Sequence, residues 1–142
     1  MQVIKKVKRL IFASSFAVYG NIKKLPLKEN MISNPISPYG LYKLIGKFYC
    51  KLFSNLYNLE TVCLRYFNVY GPRMDPEGPY ALVIGKFLKL RKENKPLTIY
   101  GDGKQTRDFV YVDDVVSANI LAMKSKKVGK GEVINICSGK NY

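Results

Sequence analysis

Apolar residues along the chain form two short runs on either side of one long stripe with helical spacing. The runs at 10–13 and 61–67 have the length of buried strands, and a polar, proline-containing loop follows the first. Residues from about 38 to 57 predict an amphipathic helix. Strand, helix and strand in this order predict a right-handed crossover between two parallel strands. The apolar positions of the helix are Leu41, Leu44, Ile45, Phe48, Leu52 and Leu56, widened by Tyr49 and Phe53.

The second part of the chain alternates shorter elements. The pattern predicts a helix around 79–93, short strands near 97–100 and 109–112, and a last strand at 133–137. A further helix opens at Asp113 or Asp114, which we interpret as helix caps rather than catalytic acids. The predicted fold class is α/β, and in such folds ligands bind where the parallel strands end.

Composition narrows the chemistry. The 142 residues, 47% hydrophobic and 24% charged, fit one globular domain with a buried core or a piece of a larger one. Histidine is absent, which excludes Ser-His-Asp and Cys-His nucleophile systems and histidine metal sites, and we predict no metal. Cys50, Cys63 and Cys137 lack metal-like spacing and lie in apolar runs. We interpret them as reduced, buried thiols of a cytoplasmic protein, without a catalytic role.

The net charge of +14 raises the alternative of a nucleic-acid binder. The lysines, however, are scattered over predicted helix faces and turns, so we favour a solvated basic surface and predict no nucleic-acid partner. The basic start at 5–9 followed by the apolar run at 10–13 imitates a signal peptide, but that run is short. No stretch of the sequence approaches the ~18 apolar residues of a membrane span. We therefore expect a cytoplasmic protein without a membrane partner, whose charge attracts an anionic nucleotide.

The segment at 37–43 carries the most specific chemistry. Ser37 is a suitable N-cap and Pro38 suits the first helical position. Tyr39 and Lys43 then lie four residues apart on one helix face. An ammonium beside a phenol and the positive end of a helix both stabilise a phenolate, the form in which a tyrosine acts as a base. Ser15, delivered from a strand end, could hydrogen-bond the same substrate oxygen.

The spacing alone is weak, because Tyr-x-x-x-Lys also occurs at 19–23 and 100–104. Both of those copies pass through glycine-containing segments, which do not hold the two side chains on one helix face. An ordinary amphipathic helix is the alternative for the copy at 39–43. Likewise Asn68 fits a turn cap at a strand end, and Tyr70 and Tyr111 are interpreted as packing residues.

Four consecutive blocks of sequence give the motif its context. They are Ala-Ser-Ser-Phe-Ala-Val-Tyr-Gly at 13–20, Ser-Pro-Tyr-Gly with its lysine at 37–43, Leu-Arg-Tyr-Phe-Asn-Val-Tyr-Gly-Pro-Arg at 64–73, and Tyr-Gly-Asp-Gly with Thr-Arg-Asp-Phe-Val-Tyr-Val-Asp-Asp at 100–114. In this order the blocks resemble the extended short-chain dehydrogenase/reductases, specifically the NAD-dependent nucleotide-sugar epimerases of the UDP-galactose 4-epimerase type. The resemblance covers nearly the whole chain.

The resemblance implies epimerisation of a UDP-sugar at C4 through a transient 4-keto intermediate, with NAD as cofactor. Tyr39 would take the proton of the sugar 4-hydroxyl, Ser15 would share its hydrogen bond, and Lys43 would hold the nicotinamide ribose. Ser14 and Tyr66 would line the cofactor pocket together with Tyr39 and Lys43.

The resemblance also implies a set of substrate-binding residues. Asn68 and Arg107 would contact the diphosphate, a use that suits a guanidinium. The uridine would lie among Leu97, Thr98 and Tyr100, with Val83 at the start of the helix beneath it.

Two residues favour epimerisation over elimination. Related sugar dehydratases and decarboxylases usually carry acidic residues just after the active serine or threonine, where this chain has Phe16 and Ala17. An elimination of water needs such a proton donor, whereas oxidation at C4 and return of the hydride does not.

The implied fold is the C-terminal half of a doubly wound, Rossmann-type parallel sheet at 1–73 and a partial α/β nucleotide-sugar-binding lobe at 74–142. The Gly-x-x-Gly-x-x-Gly turn that binds the cofactor pyrophosphate in this family is absent from the sequence. We expect a fragment or one part of a split enzyme, which associates with a glycine-rich N-terminal half or forms a homodimer through Phe48, Leu52 and Leu56. An inactive remnant, a nucleotide-sugar-binding module, and a sugar dehydratase or reductase are the alternatives.

Overall fold

The computed structural model describes residues 7–78 and 82–142, and within these residues the chain forms five strands and three α-helices. A 3-10 helix, Phe16–Tyr19, directly follows the first strand. In chain order the elements are β1 (Arg9–Ser15), α1 (Pro38–Tyr57), β2 (Glu60–Tyr66), β3 (Asn68–Tyr70), α2 (Val83–Lys92), β4 (Phe109–Tyr111), α3 (Val112–Lys124) and β5 (Lys130–Ile136).

β1, β2 and β5 form a parallel sheet with β2 in the centre. β2 is paired on both sides, and its residues 61–65 are buried. The parallel pairing of β1 with β2 through α1 confirms the predicted strand, helix and strand, and its register runs from Arg9 with Glu60 to Ser15 with Tyr66. The α/β fold class is thereby confirmed.

Different helices cover the two faces of this sheet. Successive side chains of a strand point to opposite faces. On one face, Thr61 donates a 2.8 Å hydrogen bond to the main-chain oxygen of Cys50 in α1. On the other face, Val62 and Leu64 pack with Ala122 of α3. Helices on both faces of a parallel sheet form the doubly wound arrangement that the resemblance implies.

The ends of α1 follow from local sequence. Ser37 is the N-cap, and its Oγ accepts a 3.1 Å hydrogen bond from the main-chain nitrogen of Gly40. Pro38 lies in the first turn, where main-chain N–H groups have no partner within the helix, so the missing N–H of proline costs no hydrogen bond. After Tyr57, Asn58 adopts a left-handed conformation with φ of 52°, which is a common way for a helix to end.

The apolar stripe of α1 is wider than the part of it that packs on the sheet. A set of its outer side chains is exposed: Leu41, Ile45, Phe48, Tyr49, Leu52 and Leu56. Among the described residues, β1 is also paired on one side only, so the sheet has an open edge there. Folded proteins usually cover both kinds of surface. No helix in the described ranges has the length and hydropathy needed to cross a membrane.

β3 and β4 form a second, two-stranded parallel sheet. The rings of Tyr70 and Tyr111 lie 5.4 Å apart across this pair, which agrees with the packing role predicted for them. α3 follows β4 at once and leads to β5, which returns to β2. Both sides of the predicted division at residue 73 therefore contribute to the first sheet, because β5 pairs with β2.

Other element predictions need correction. Residues 97–100 form no strand, and within the described part of the chain this exposed segment has no partner strand. α2 begins at Val83, and the predicted start at 79 lies outside the described residues. α3 begins at Val112 with Tyr111 as its cap residue. Asp113 and Asp114 are therefore not caps but lie in the first turn, where carboxylates stabilise the positive end of the helix.

The cysteines differ from one another in exposure. Cys50 and Cys63 are buried free thiols, whereas Cys137, just beyond the end of β5, is exposed. The prediction of buried thiols is therefore wrong for Cys137. Burial raises the pKa of Cys50 to about 11, and it also raises the pKa of Cys63. Since the thiolate is the reactive form, both buried thiols should be inert at neutral pH.

We expect the native chain to react with Ellman's reagent through Cys137 alone, and to release all three thiols after denaturation. Partial desolvation of the thiol and the nearby Asp108 carboxylate raise the pKa of Cys137 as well, although the residue is exposed, so its reaction should become faster from pH 7 to pH 9. The Cys137→Ser chain, as control, should show no fast phase. Two or more fast thiols in the native chain would contradict the burial described here.

Candidate active site

The carboxyl end of β1 carries two buried serines, Ser14 and Ser15. The Ser14 hydroxyl donates a 3.3 Å hydrogen bond to the main-chain oxygen of Lys43 in α1. This bond ties the end of the strand to the helix that carries Tyr39.

Ser15 caps the 3-10 helix that follows β1. Its Oγ accepts a 3.2 Å hydrogen bond from the main-chain nitrogen of Ala17. Because the oxygen is the acceptor in that bond, the hydroxyl proton remains available for donation. A hydroxyl donor fixed in this way at a strand end suits a hydrogen bond to a substrate oxygen.

Lys43 lies beside Tyr39 on the same helix face. Its Nζ donates a 2.8 Å hydrogen bond to the main-chain oxygen of Ala13 and lies 5.5 Å from the centroid of the Tyr39 ring. The rings of Phe12 and Tyr42 each lie 5.4 Å from the same nitrogen. An ammonium at such distances is attracted to aromatic faces, and it keeps further N–H donors for a ligand.

Tyr39 itself lies in the first turn of α1 and is 37% exposed, so its phenol is accessible to a ligand. The structure brings Tyr39, Lys43 and the two serines together at one edge of the sheet, where β1 ends and α1 begins. Tyr39 and Lys43 lie on one helix face, as their spacing predicts.

Gly40 allows the first turn of α1 to approach the 3-10 helix closely. A Cβ at this position would lie 2.7 Å from the main-chain oxygen of Ala17 and 3.0 Å from Cβ of Pro35. The first distance is too short for any real Cβ, and the obstructing atom belongs to the backbone. Glycine next to Tyr39 therefore sets how closely the helix docks on the end of β1.

Replacing Gly40 by alanine should lower the unfolding free energy by about 1–3 kcal/mol, because the backbone must shift to admit the methyl group. Gly85→Ala is the matched control, since a Cβ at that helical position would meet the flexible end of Met74 instead of backbone. Guanidinium unfolding of both variants measures the difference. Equal stability of the two variants would contradict the close approach at Gly40.

A buried polar network lies behind the strand ends, and the sequence did not reveal it. Arg65 is fully buried, and its Nη1 donates a 2.7 Å hydrogen bond to the hydroxyl of Tyr19. The Tyr19 hydroxyl in turn donates to Oδ1 of Asn135 in β5 at 2.8 Å. Arg65 also donates to the main-chain oxygen of Glu29 and to Oγ of Ser33, at 3.4 Å each. The only signal in the sequence was an arginine within the apolar run at 61–67.

The network fixes the loop that precedes α1 to the sheet. Asn135 donates a 3.1 Å hydrogen bond to the main-chain oxygen of Leu27, and its own main-chain nitrogen donates to Oε1 of Glu29 at 2.9 Å. The guanidinium carbon of Arg65 lies 4.6 Å from the centroid of the Tyr19 ring, a cation–π distance. These bonds fix the position of the loop that leads to Ser37 and the first turn of α1.

Tyr66 does not join the Tyr39 group. Its ring packs with the core between β2 and α3, and its hydroxyl hydrogen-bonds with the side chain of Asn119 in α3 at 2.8 to 3.0 Å. That face of the sheet is opposite to α1, so the Tyr66 side chain lies apart from Tyr39, and its contact with the cofactor stays a prediction. Phe67, the next residue, packs against Phe16 with ring centroids 5.3 Å apart, directly after the ends of β2 and β1.

A cleft of about 820 Å³ lies between α2, the segment at 95–107 and the second sheet. Its lining also includes residues that the sequence did not single out: Lys86, Phe87, Ile99, Gln105 and Tyr142. Leu97 is not in the lining that the described residues form. The predicted substrate-binding residues that do line the cleft are Asn68, Val83, Thr98, Tyr100 and Arg107.

The charges around the cleft are unevenly paired. Lys89 pairs with Glu77 and with Glu93, and Lys95 pairs with Glu93 at 2.9 Å. The hydrogen bond from Lys95 lowers the pKa of Glu93, and the one with Glu77 raises the pKa of Lys89. Within the described part of the chain, neither Lys86 nor Arg107 has a carboxylate within salt-bridge distance. These cations favour an anionic ligand in the cleft.

The described residues contain no group of three or more histidine, cysteine, aspartate or glutamate side chains arranged to hold a metal ion. The hydroxyl, phenol and ammonium groups at the end of β1 are those of Ser14, Ser15, Tyr39 and Lys43. Fold and geometry together define a class: a Rossmann-type α/β protein in which serine, tyrosine and lysine meet at the end of a parallel sheet, with a cationic cleft nearby.

The chain belongs to the NAD dependent epimerase/dehydratase family, whose family model matches residues 2–137. A UDP-N-acetylglucosamine 4-epimerase from Methanobrevibacter ruminantium M1, solved with UDP-N-acetylmuramic acid, is 46% identical with a TM-score of 0.90. That match covers 95% of this chain and 43% of that one. The UDP-glucuronic acid 4-epimerase of Bacillus cereus, solved with UDP-glucuronic acid and NAD, is 38% identical with a TM-score of 0.86, over 99% of this chain and 45% of that one.

The UDP-glucose 4-epimerase of Mycolicibacterium smegmatis is 39% identical over 134 residues, which are 94% of this chain and 42% of that protein. The chain thus spans less than half the length of the curated relatives it matches. The comparisons confirm the predicted family, and they agree with the expectation of a fragment.

Proposed function

We propose that this chain supplies the catalytic and nucleotide-sugar-binding part of an NAD-dependent epimerase that inverts C4 of a UDP-sugar through a 4-keto intermediate. The observation that carries the proposal is the meeting of Ser15, Tyr39 and Lys43 at the end of β1. A glycine-rich segment, either on the same longer protein or on a separate polypeptide, would bind the cofactor pyrophosphate.

In this proposal Tyr39 is the general base that removes the proton from the sugar 4-hydroxyl and later returns one. The Lys43 ammonium, held by the main-chain oxygen of Ala13, lies 5.5 Å from the centroid of the Tyr39 ring and keeps a positive charge beside this base. Ser15 donates its hydroxyl proton to the same sugar oxygen, because Ala17 already fixes the orientation of its Oγ. These groups move and hold the proton.

The residues at this edge fit a nicotinamide cofactor. The chemistry that NAD supplies when bound is reversible acceptance of the C4 hydride. Lys43 retains N–H donors that suit ribose hydroxyls, and Ser14 holds Lys43 in place through its main-chain oxygen. The Phe16 and Phe67 rings offer an apolar wall for a flat ring, so we propose Phe67 as an aromatic residue of this pocket in addition to Tyr66.

The cleft is the proposed nucleotide site. Arg107, an exposed cation of the cleft, would bind the diphosphate, and Thr98, Tyr100 and Val83 would surround the uridine. Asn68 begins β3, two residues after β2 ends, and also lines the cleft. We leave Leu97 out of the proposed set because it does not contribute to the lining.

Phe16 and Ala17 support epimerisation within a family that also includes dehydratases. Both positions directly follow Ser15, and neither can donate a proton from its side chain. Phe16 is also occupied by its contact with Phe67. A sugar dehydratase or a binding module without activity is the alternative that the experiments below separate from an epimerase.

We further propose that the open edge of β1 pairs with the glycine-rich half and that a second copy covers the exposed face of α1. The chain alone should therefore associate, and a monomer in sedimentation velocity at low salt would contradict this. Free thiols without a disulfide among the described residues suit a cytoplasmic protein.

Calorimetric titration tests the proposed function. The chain alone should bind UDP-glucose, whereas NAD should bind only after the chain is mixed with the glycine-rich half of the Methanobrevibacter ruminantium enzyme. Arg107→Gln should weaken the UDP-glucose titration and leave the NAD titration of the mixture unchanged. Absence of binding of either ligand in both conditions would identify an inactive remnant and contradict the proposal.

A further inference from the structure

The side chain of Arg107 has few restraints of its own. Its guanidinium donates one 2.8 Å hydrogen bond, to the main-chain oxygen of Thr106, and the residue is exposed. A long, exposed side chain loses much rotamer freedom when it binds a ligand. Its position over the cleft therefore depends on how firmly its backbone is held.

The backbone of Arg107 is held through a reciprocal pair with Tyr142. The main-chain nitrogen of Arg107 donates to the main-chain oxygen of Tyr142 at 2.9 Å, and the nitrogen of Tyr142 donates back at 3.0 Å. Two strands of an antiparallel ladder exchange hydrogen bonds in the same way. The segment after β5 is thus joined to the residue that carries the guanidinium.

The next residue, Asp108, makes the stronger connection. One carboxylate oxygen accepts hydrogen bonds from the main-chain nitrogen and the Oγ of Ser138, at 2.8 and 2.9 Å, and the other accepts from the nitrogen of Gly139 at 2.8 Å. We call this set the Asp108 clasp. The main-chain oxygen of Asp108 accepts from the side-chain and main-chain nitrogens of Asn68, at 2.8 and 3.3 Å. Bonds to a carboxylate are stronger than those between neutral groups.

The Asp108 clasp also engages the carboxylate that is next to the Arg107 guanidinium in the chain. Asp108 is next to Arg107 in the chain, yet the two side chains form no ion pair within the described ranges. The donors of Ser138 and Gly139 take up the lone pairs of Asp108 instead. The guanidinium is left to bind an anion in the cleft.

We propose that Asp108 is a positioning residue for Arg107: the Asp108 clasp fixes the backbone beneath the guanidinium and withholds the neighbouring carboxylate from it. The proposal rests on the proposed function, in which Arg107 binds the diphosphate of a UDP-sugar. Asp108 itself touches no substrate atom in this account. Its effect should therefore be confined to the diphosphate and should not extend to the uridine.

Binding of UDP and of uridine to the full chain, followed by NMR titration, separates these two parts of the ligand. Asp108→Asn should weaken UDP binding about tenfold, the expected size for an impaired bond to a charged group, and leave uridine binding within twofold. Arg107→Gln should show the same pattern, and the double variant should lose no more than either single one. Asp114→Asn removes the same charge in the first turn of α3 and should change neither titration.

Ser138→Ala is a milder variant that keeps the Asp108 carboxylate but removes one of its hydrogen-bond donors. It tests the positioning role of Asp108 even if Asp108→Asn fails to fold. It should weaken UDP binding in the same selective way, with faster amide exchange at Gly139 and Tyr142. Parallel loss of UDP and uridine binding, or no loss of either, would overturn the positioning role. If the unaltered chain binds neither ligand, the proposed function and the positioning role both fail, while slow amide exchange at Ser138 and Gly139 would still show the clasp itself.

Discussion

Replacing Tyr39 by phenylalanine should lower the rate of C4 epimerisation by about 10²- to 10⁴-fold, the range for removal of a general acid–base group. The ring stays in place, so Lys43 keeps its aromatic neighbour at 5.5 Å and its bond to the main-chain oxygen of Ala13. What is lost is the oxygen that accepts the proton. The rate is measured on UDP-glucose with the chain and its glycine-rich half mixed, and UDP-glucose affinity should stay within twofold.

Tyr42→Phe is the matched control for this variant. Tyr42 lies on the same helix, its ring centroid is 5.4 Å from the Lys43 nitrogen, and the residue is 62% exposed. Its hydroxyl should be dispensable. A Tyr39→Phe mixture that keeps more than a tenth of its rate, or a Tyr42→Phe mixture that loses as much, would contradict the assignment of the base.

Replacing Arg65 by alanine should lower the unfolding free energy by about 2–5 kcal/mol, the range for emptying a large buried site. The side chain is fully buried and packs on the Tyr19 ring, so its removal leaves a cavity between the sheet and the loop before α1. The hydrogen bonds to Glu29 and Ser33 are lost as well. Relief from burying a charge offsets part of this cost, which is why the loss stays within the range for apolar truncations.

Guanidinium unfolding measures this loss, and Arg91→Ala is its control because Arg91 lies exposed on α2. The control should change stability by less than about 0.5 kcal/mol. Protease cleavage within the loop at 20–36 should also become faster in Arg65→Ala. Equal, small losses in both variants would show that the buried network does not hold the loop.

Features set by neighbouring residues could be predicted from the sequence. The cap at Ser37, the proline after it and the apolar stripe all act within a few turns, so α1 lies where the pattern places it. The same local spacing brought Tyr39 and Lys43 to one face. The end of β1 was predictable too, because the polar Ser14 and Ser15 close an apolar run.

Features set by pairing between distant segments were missed. Leu97 and Ile99 alternate with polar residues as in a strand, but the described residues offer this segment no partner strand. Tyr66 belongs to the block that resembles the family, yet the block does not reveal which face of the sheet its side chain takes. The Arg65 network depends on the register of β2 with β5, which places Arg65 beside Asn135.

The cleft contains both features that could be predicted from the sequence and features that could not. Its residues come from β3, α2 and the segment at 95–107, and a resemblance in sequence was enough to nominate Asn68, Val83, Thr98, Tyr100 and Arg107. The clasp that holds Arg107 could not be predicted, because Asp108 meets Ser138 only when β5 returns to the sheet.

The fate of the C4 hydrogen distinguishes epimerisation from elimination and from binding without turnover. UDP-glucose is incubated in D₂O with the chain, its glycine-rich half and NAD, and the products are followed by proton NMR. We expect UDP-galactose that retains its C4 hydrogen, because the hydride leaves and returns without exchange with solvent. Deuterium at C5 with loss of water would identify a dehydratase. If NAD binds but no product forms, the chain would be a binding module. Either result contradicts the proposed epimerase.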